Sequence, residues 1–177
     1  MKIYKIGLGG GCHWCTEAVF QNINGVVKVE QGWISASGAE EFSEAVLAHF
    51  DPEKISLKVL IEVHLLTHKS TSNHSMRSKY RSAVYAFSTK QQLESQKILK
   101  LLQKEFDDKL ITRVYGFEDF KMSPEPYQNY FQKNPEKPFC KTYIAPKLQL
   151  LLKRFPKHVL ESTQTSIKSR ELQNIKK

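Results

Sequence analysis

Cysteine is scarce here: Cys12, Cys15 and Cys140 are the only three in 177 residues. So small and odd a number does not make a disulfide framework, and the fold has to rest on an apolar core. Long apolar runs are missing as well. None approaches the roughly 20 residues needed to cross a bilayer. The N-terminus shows no basic stretch followed by an apolar one, so we expect no export signal and a cytoplasmic protein. Acid is short relative to base, with 18 Asp and Glu against 27 Lys and Arg, a net charge of +9. From residue 147 onward eight Lys or Arg face only Glu161 and Glu171, so this stretch carries six of those nine charges. A basic tail can bind nucleic acid or a membrane surface. This one has a single aromatic, Phe155, and no recognition module, so we expect a solvated, partly frayed terminus and neither of those partners.

What is present is ordinary for a soluble globular chain: 40% apolar residues, seven prolines and a length that suits one domain with a sizeable core. The informative stretch is Gly9-Gly10-Gly11-Cys12-His13-Trp14-Cys15-Thr16-Glu17. Before it, residues 2–8 alternate Ile3, Ile6 and Leu8 with polar neighbours, a strand pattern. After it, Ala18, Val19, Phe20 and Ile23 follow helical spacing. The glycines therefore occupy a strand-to-helix turn, where missing Cβ atoms permit unusual dihedrals and close approach. Cys12 falls where the free N–H groups of a starting helix point outward, a setting that stabilises a thiolate. A free cysteine is most often just a small buried hydrophobe. The glycine run and the crowding of His13, Trp14 and Cys15 on one turn favour a reactive thiol instead. Cys-x-x-Cys opening a helix also suits a thioredoxin-like exchanger, and Cys with His could bind zinc, although no second Cys-x-x-Cys follows and His64 and His68, four apart, lie in a stretch with its own helical explanation.

In order along the chain, Gly25 closes the first helix and a strand spans 26–35, with Trp33 where it ends. A polar loop precedes a buried strand over 42–50, with Glu44 near its start, and Asp51-Pro52 turns the chain. Ser56 is placed to cap a helix over 57–67. A polar loop over 69–79, a strand over 80–87, a helix over 90–106 capped by Thr89 and a strand over 110–117 follow. Residues 115–138 hold four prolines and six aromatics, which suggests an irregular wrapping segment. A last short helix spans 147–154. Strands and helices mix without strict alternation, so the expected class is α+β: a mainly antiparallel or mixed central sheet flanked by helices, with a long irregular C-terminal segment. We expect one domain over 1–155 and the basic tail over 156–177.

These residues carry a resemblance. Gly11-Cys12-His13-Trp14-Cys15-Thr16-Glu17 resembles the Gly-Cys-Phe-Trp-x-x-Glu signature of the A-type peptide-methionine sulfoxide reductases. Gly25-Val26, Gly32-Trp33, Glu44-Ala45-Val46, Phe50-Asp51-Pro52 with Ile55-Ser56, Tyr80-Arg81-Ser82-Ala83-Val84-Tyr85, and Tyr127-Gln128 with Tyr130, Asn134-Pro135 and Cys140 follow in the family's order. Departures mark a divergent branch. The family's Phe is His13, a Gly is Cys15, a Tyr is Trp33, and the usual Asp of the loop before Tyr80 is Ser75.

The resemblance implies reduction of methionine S-sulfoxide, free or in proteins; we expect no cofactor and a monomer. Cys12 would attack sulfur, Glu44 would protonate the oxygen and Tyr80 would hydrogen-bond to it. Trp33 would offer an indole N–H in place of a phenol. His13, Trp14 and Ser75 would complete the substrate site. The sulfenic acid left on Cys12 would condense with a second thiol, and thioredoxin would reopen the disulfide. Cys140 matches the family's resolving position, in what reads as an exposed, mobile loop, and is our expectation; Cys15, one turn from Cys12, is the rival. Two other functions remain open on the residues: a thiol-disulfide oxidoreductase using Cys12 and Cys15, and a catalytically decayed binding module.

Overall fold

In the computed structural model, which describes residues 2–39 and 41–175, period-two alternation divides the apolar residues between two cores. The strands are β1 (Tyr4–Gly9), β2 (Val26–Ala36), β3 (Phe42–Phe50), β4 (Ala83–Ala86) and β5 (Arg113–Met122). Inward residues Ile34, Ala45, Leu47, Ala83 and Tyr85 fill a small inner core. Their outward neighbours, among them Ile6, Leu8, Val46, Ala48 and Val84, pack beneath the helices in a larger one.

The strands close into a barrel in the order β1-β3-β2-β5-β4. All pairings are antiparallel except β4 with β5, which is parallel. Closure requires this. Around a ring the number of direction reversals must be even, so five strands need at least one parallel pair. The expected mixed sheet is therefore present and joined edge to edge, which removes exposed edges.

The helices are α1 (His13–Gln21), α2 (Leu57–Thr67), α3 (Thr89–Leu102), the single turn α4 (Tyr130–Lys133), α5 (Ala145–Arg154) and α6 (Glu161–Ile175). Ser56 caps α2 as expected, accepting from Val59 N–H. The cap of α3 is Ser88 rather than Thr89: its hydroxyl accepts from Gln91 N–H and Thr89 already has helical geometry. No helix among the described residues is long and apolar enough to cross a membrane.

Several expectations need correction. Trp33 lies within β2, not at its end, because pairing with β3 and β5 continues to Ala36. Residues 80–82 precede β4, since Tyr80 N–H goes to Met76 O and Arg81 N–H to Ser43 Oγ instead of a ladder. The segment expected to be irregular begins as strand β5, with Phe117 and Phe120 packed against the inner core. Cys140 is not on an exposed loop. It is fully buried at the start of a π-helical turn (Cys140–Ile144) that runs into α5. The stretch from Pro156 also docks back: Val159 is buried and bridges to Ile23, Leu160 N–H donates to Asn22 O, and Thr163 Oγ1 donates to Asn22 Oδ1.

Gly32 shows how tightly β2 and β5 approach. A Cβ there would lie 2.0 Å from the main-chain oxygen of Lys121, and backbone cannot yield as a side-chain tip can. Gly32→Ala should therefore cost about 3 kcal/mol, read as a lower urea midpoint with an unchanged slope; an unaltered midpoint would show that the strands separate freely.

Candidate active site

Cys12 is the N-cap of α1, with extended dihedrals (φ −55°, ψ 126°) that bring the chain off β1 before the helix begins. The corner is held from beneath by backbone oxygens. Gly9 O accepts from His64 Nε2 at 2.9 Å, and Gly10 O accepts from Arg77 Nη1 at 2.8 Å. The glycine run thus admits a protein ring: a Cβ on Gly10 would come within 2.4 Å of His68. His68 donates through Nδ1 to His64 O. Its Nε2 faces Ser82 Oγ at 2.8 Å, and Ser82 in turn meets Thr112 Oγ1 at 2.7 Å. Burial pushes His64 down to about 4 and His68 well down too, so both rings are neutral near pH 7.

Around Cys12 the sulfurs and N–H groups converge. Cys15 Sγ–H donates to the Cys12 sulfur, joined by the N–H groups of Cys15 and Trp14, and together they hold the Cys12 thiol below its usual range despite burial and the nearby Glu44. The same bond pushes the buried Cys15 thiol strongly up, with burial adding to it. Of the two sulfurs, Cys12 is therefore the one that gives up its proton more readily. Cys140 Sγ sits 3.5 Å from Asn134 O, and burial raises its thiol.

β3 delivers Glu44 to the first turn of α1. Its Oε2 accepts from His13 N–H at 3.1 Å, and His13 Nε2 lies 3.9 Å from the same oxygen. His13 donates through Nδ1 to Gly32 O at 2.9 Å, which fixes the ring. Trp33, the partner of Glu44 across the sheet, meets the His13 ring edge-on at 5.2 Å. Tyr80 arrives because residue 79 runs alongside β3, with Glu44 N–H and Ser43 Oγ–H both donating to Lys79 O. Cys12, His13, Trp14, Cys15, Trp33, Glu44 and Tyr80 are thus gathered in one place. Ser75 is not among them: it is exposed at the start of a short 3-10 turn (Ser75–Arg77).

Three contributors escaped the sequence reading. Lys79 Nζ lies 3.5 Å from Glu44 Oε1 and hydrogen-bonds to Tyr80, contacts that raise its affinity for the proton. Its only signal was adjacency to Tyr80, and its presence makes the Glu44 site more polar than the apolar strand around it implied. Glu17 is fully buried one helical turn after His13. It accepts from Gln31 Nε2, Asn129 N–H and Tyr130 N–H, while burial pushes its carboxyl up. Those bonds anchor the C-terminal segment, so that Tyr130 stacks on Trp14 at 4.1 Å and Phe139 meets it edge-on. Arg77 is the third, its guanidinium donating to the oxygens of Gly10, Lys69, Ser72 and Tyr80.

The family model described as peptide methionine sulfoxide reductase matches residues 4–159. A peptide methionine sulfoxide reductase MsrA from Trichodesmium erythraeum is 37% identical over 171 residues, covering 87% of this chain and 97% of the relative. The crystal structure of Mxr1 from Saccharomyces cerevisiae in reduced form is similar with a TM-score of 0.71 at 25% identity, covering 80% of this chain and 91% of that one. Mxr1 in complex with Trx2 is similar with a TM-score of 0.59, also at 25% identity, covering 73% and 85%. The chain belongs to the peptide methionine sulfoxide reductase family.

Because the Cys15 thiol is the largest influence holding Cys12 down, Cys15→Ala should move the midpoint of Cys12 alkylation by iodoacetamide to higher pH, and Cys15→Ser, which keeps a donor, should move it less. Equal midpoints in the parent and Cys15→Ala would remove that hydrogen bond from the account.

Proposed function

We propose that this chain reduces methionine sulfoxide to methionine, with Cys12 as nucleophile, Glu44 as proton donor and Cys15 as the thiol that closes the cycle. The single observation that carries this reading is the meeting of three groups at one helix start: a stabilised thiolate, its hydrogen-bonded thiol and a buried carboxyl. The Cys12 thiolate attacks the sulfoxide sulfur. Glu44 supplies a proton to the oxygen, and Tyr80 donates a hydrogen bond to it. Lys79 favours that donation: an ammonium can only donate, so its bond to Tyr80 occupies the phenol oxygen and leaves the O–H free. The methyl end of the substrate rests among His13, Trp33 and the part of Trp14 that Tyr130 leaves uncovered. Methionine departs, and Cys12 retains the oxygen as a sulfenic acid.

The Cys15 thiol then condenses with that sulfenic acid, releasing water and forming a disulfide. A pair three residues apart across an N-cap meets the roughly 7 Å limit between Cα atoms, and Cys12 is already non-helical, so no turn need unwind. This reverses the preference for Cys140, which is enclosed by the π turn. Thioredoxin returns two electrons and two protons to restore the thiols; the similarity to Mxr1, solved with Trx2, supports that partner. We assign the S epimer of sulfoxide and a cytoplasmic setting, where free thiols stay reduced.

One turnover with methionine sulfoxide and no reductant should leave a protein two hydrogens lighter, with one equivalent of methionine and a peptide map joining Cys12 to Cys15. A map joining Cys12 to Cys140 would return the resolving role to Cys140, and no methionine would remove the activity.

Glu44→Gln should slow the chemical step about 10²–10⁴-fold while Cys12 stays open to alkylation. Turnover at the parent rate between about pH 6 and 8 would exclude Glu44 as the donor.

A further inference from the structure

Three lysines stand around the reacting groups, each held over an aromatic ring. Lys79 Nζ is 5.0 Å from the centre of the Tyr80 ring and 3.5 Å from Glu44 Oε1, and its side chain is 52% exposed. Lys121 Nζ is 4.0 Å from the centre of the Phe42 ring. Its place follows from the register: Glu44 pairs with Trp33, and Trp33 pairs with Lys121, so the three form one row across β3, β2 and β5. Opposed residues share a face, and Phe42, two residues from Glu44, shares it too. Lys137 Nζ lies 4.3 Å from the centre of the Tyr130 ring, which stacks on Trp14.

A ring face steadies an ammonium without neutralising it. Among the described residues, Lys121 and Lys137 have no carboxylate within ion-pair distance, whereas the neighbouring Lys133 and Lys141 are paired with Glu125 and Glu136. Besides Glu44 in the row itself, the same face of β5 carries Asp119, two residues before Lys121, and one of its oxygens accepts from Phe120 N–H. Glu44 is buried. The rim around the Cys12 corner therefore presents positive charge held in place by apolar rings.

We propose that this rim selects methionine sulfoxides in peptide segments with carboxylates on both sides of the oxidised residue. The proposal rests on the reductase reading above and names its substrate class. A segment entering over Trp14 and Trp33 would carry its flanking side chains toward Lys121 on the β5 side and Lys137 on the C-terminal side. There they replace weak ring contacts with ion pairs. Lys79, at the centre, raises the potential felt by either flank.

The test uses three peptides identical except that the residues on both sides of methionine sulfoxide are Glu, Gln or Lys. Catalytic efficiency is measured for the parent and for Lys121→Glu/Lys137→Glu, with circular dichroism to check the fold. In the parent at low salt, the Glu peptide should exceed the Lys peptide about tenfold in kcat/KM, and the ratio should fall toward one at high salt. In the double variant the ratio should drop below one while the Gln peptide is still reduced. A parent ratio near one overturns the proposal. So does a ratio that the double variant leaves unchanged, which would assign the preference to the overall charge. If the parent reduces none of the three peptides, the reductase reading itself fails, and that outcome is distinct from a loss of charge preference. A double variant that does not fold is replaced by Lys121→Gln and Lys137→Gln singly, each of which should lower the ratio.

Discussion

Everything at the site depends on how the β1-to-α1 corner satisfies its backbone. A chain that leaves a strand and starts a helix within three residues exposes oxygens and N–H groups that neither element pairs, and burial makes each costly to leave alone. Here Gly9 O and Gly10 O are taken by His64 and Arg77, and His13 N–H is taken by Glu44. The sulfur of Cys12 is thus aimed by hydrogen bonds to main chain together with the packing of its side chain against the larger core. Burial penalises a charged ring, so the two histidines serve this task as neutral hydrogen-bonding groups.

The barrel supplies the second half of the geometry. Alternation along β3 sends Ala45 and Leu47 inward and leaves Glu44 on the outer face, where α1 starts. Moving the register by one residue would carry the carboxylate into the barrel, so the fit of the inner core holds the acid in position. On the far side of α1, Glu17 holds the segment that brings Tyr130 and Phe139 onto Trp14. A buried carboxylate, costly alone, is made tolerable by three donors and ties two distant parts of the chain together.

Local signals were read well where a short run decides the outcome by itself. The strand over Phe42–Phe50 and the helix over Leu57–Thr67 with its Ser56 cap depend on apolar spacing, a turn dipeptide and one hydroxyl, all within a few residues. The strand-to-helix corner at Cys12 was legible for the same reason: glycines, Cys12 and helical spacing after it. Reading failed where distant residues compete for the backbone. Residues 80–82 look like a strand until Ser43 takes the Arg81 N–H. The aromatics after Tyr115 look irregular until Phe117 and Phe120 are given an inner core to fill. The prolines near Cys140 suggested exposure, yet a π turn buries its sulfur against the larger core.

The sequence by itself determined the family resemblance, the mixed α and β composition, and the candidates for the chemistry: Cys12, Glu44, Tyr80, the aromatics beside them, and Cys140 or Cys15 as second thiol. These are matters of residue type and short spacing, which the chain states wherever it folds. Only the tertiary structure decided that the sheet closes with one parallel pair, that Ser75 stands apart, and that Cys15 shares a hydrogen bond with Cys12 while Cys140 is enclosed. It alone brought Lys79 to Glu44 and set Lys121 in line with Trp33. The reason is physical. Contacts between residues far apart in the chain are chosen by packing and by the need to pair buried polar groups, and neither leaves a mark on local spacing.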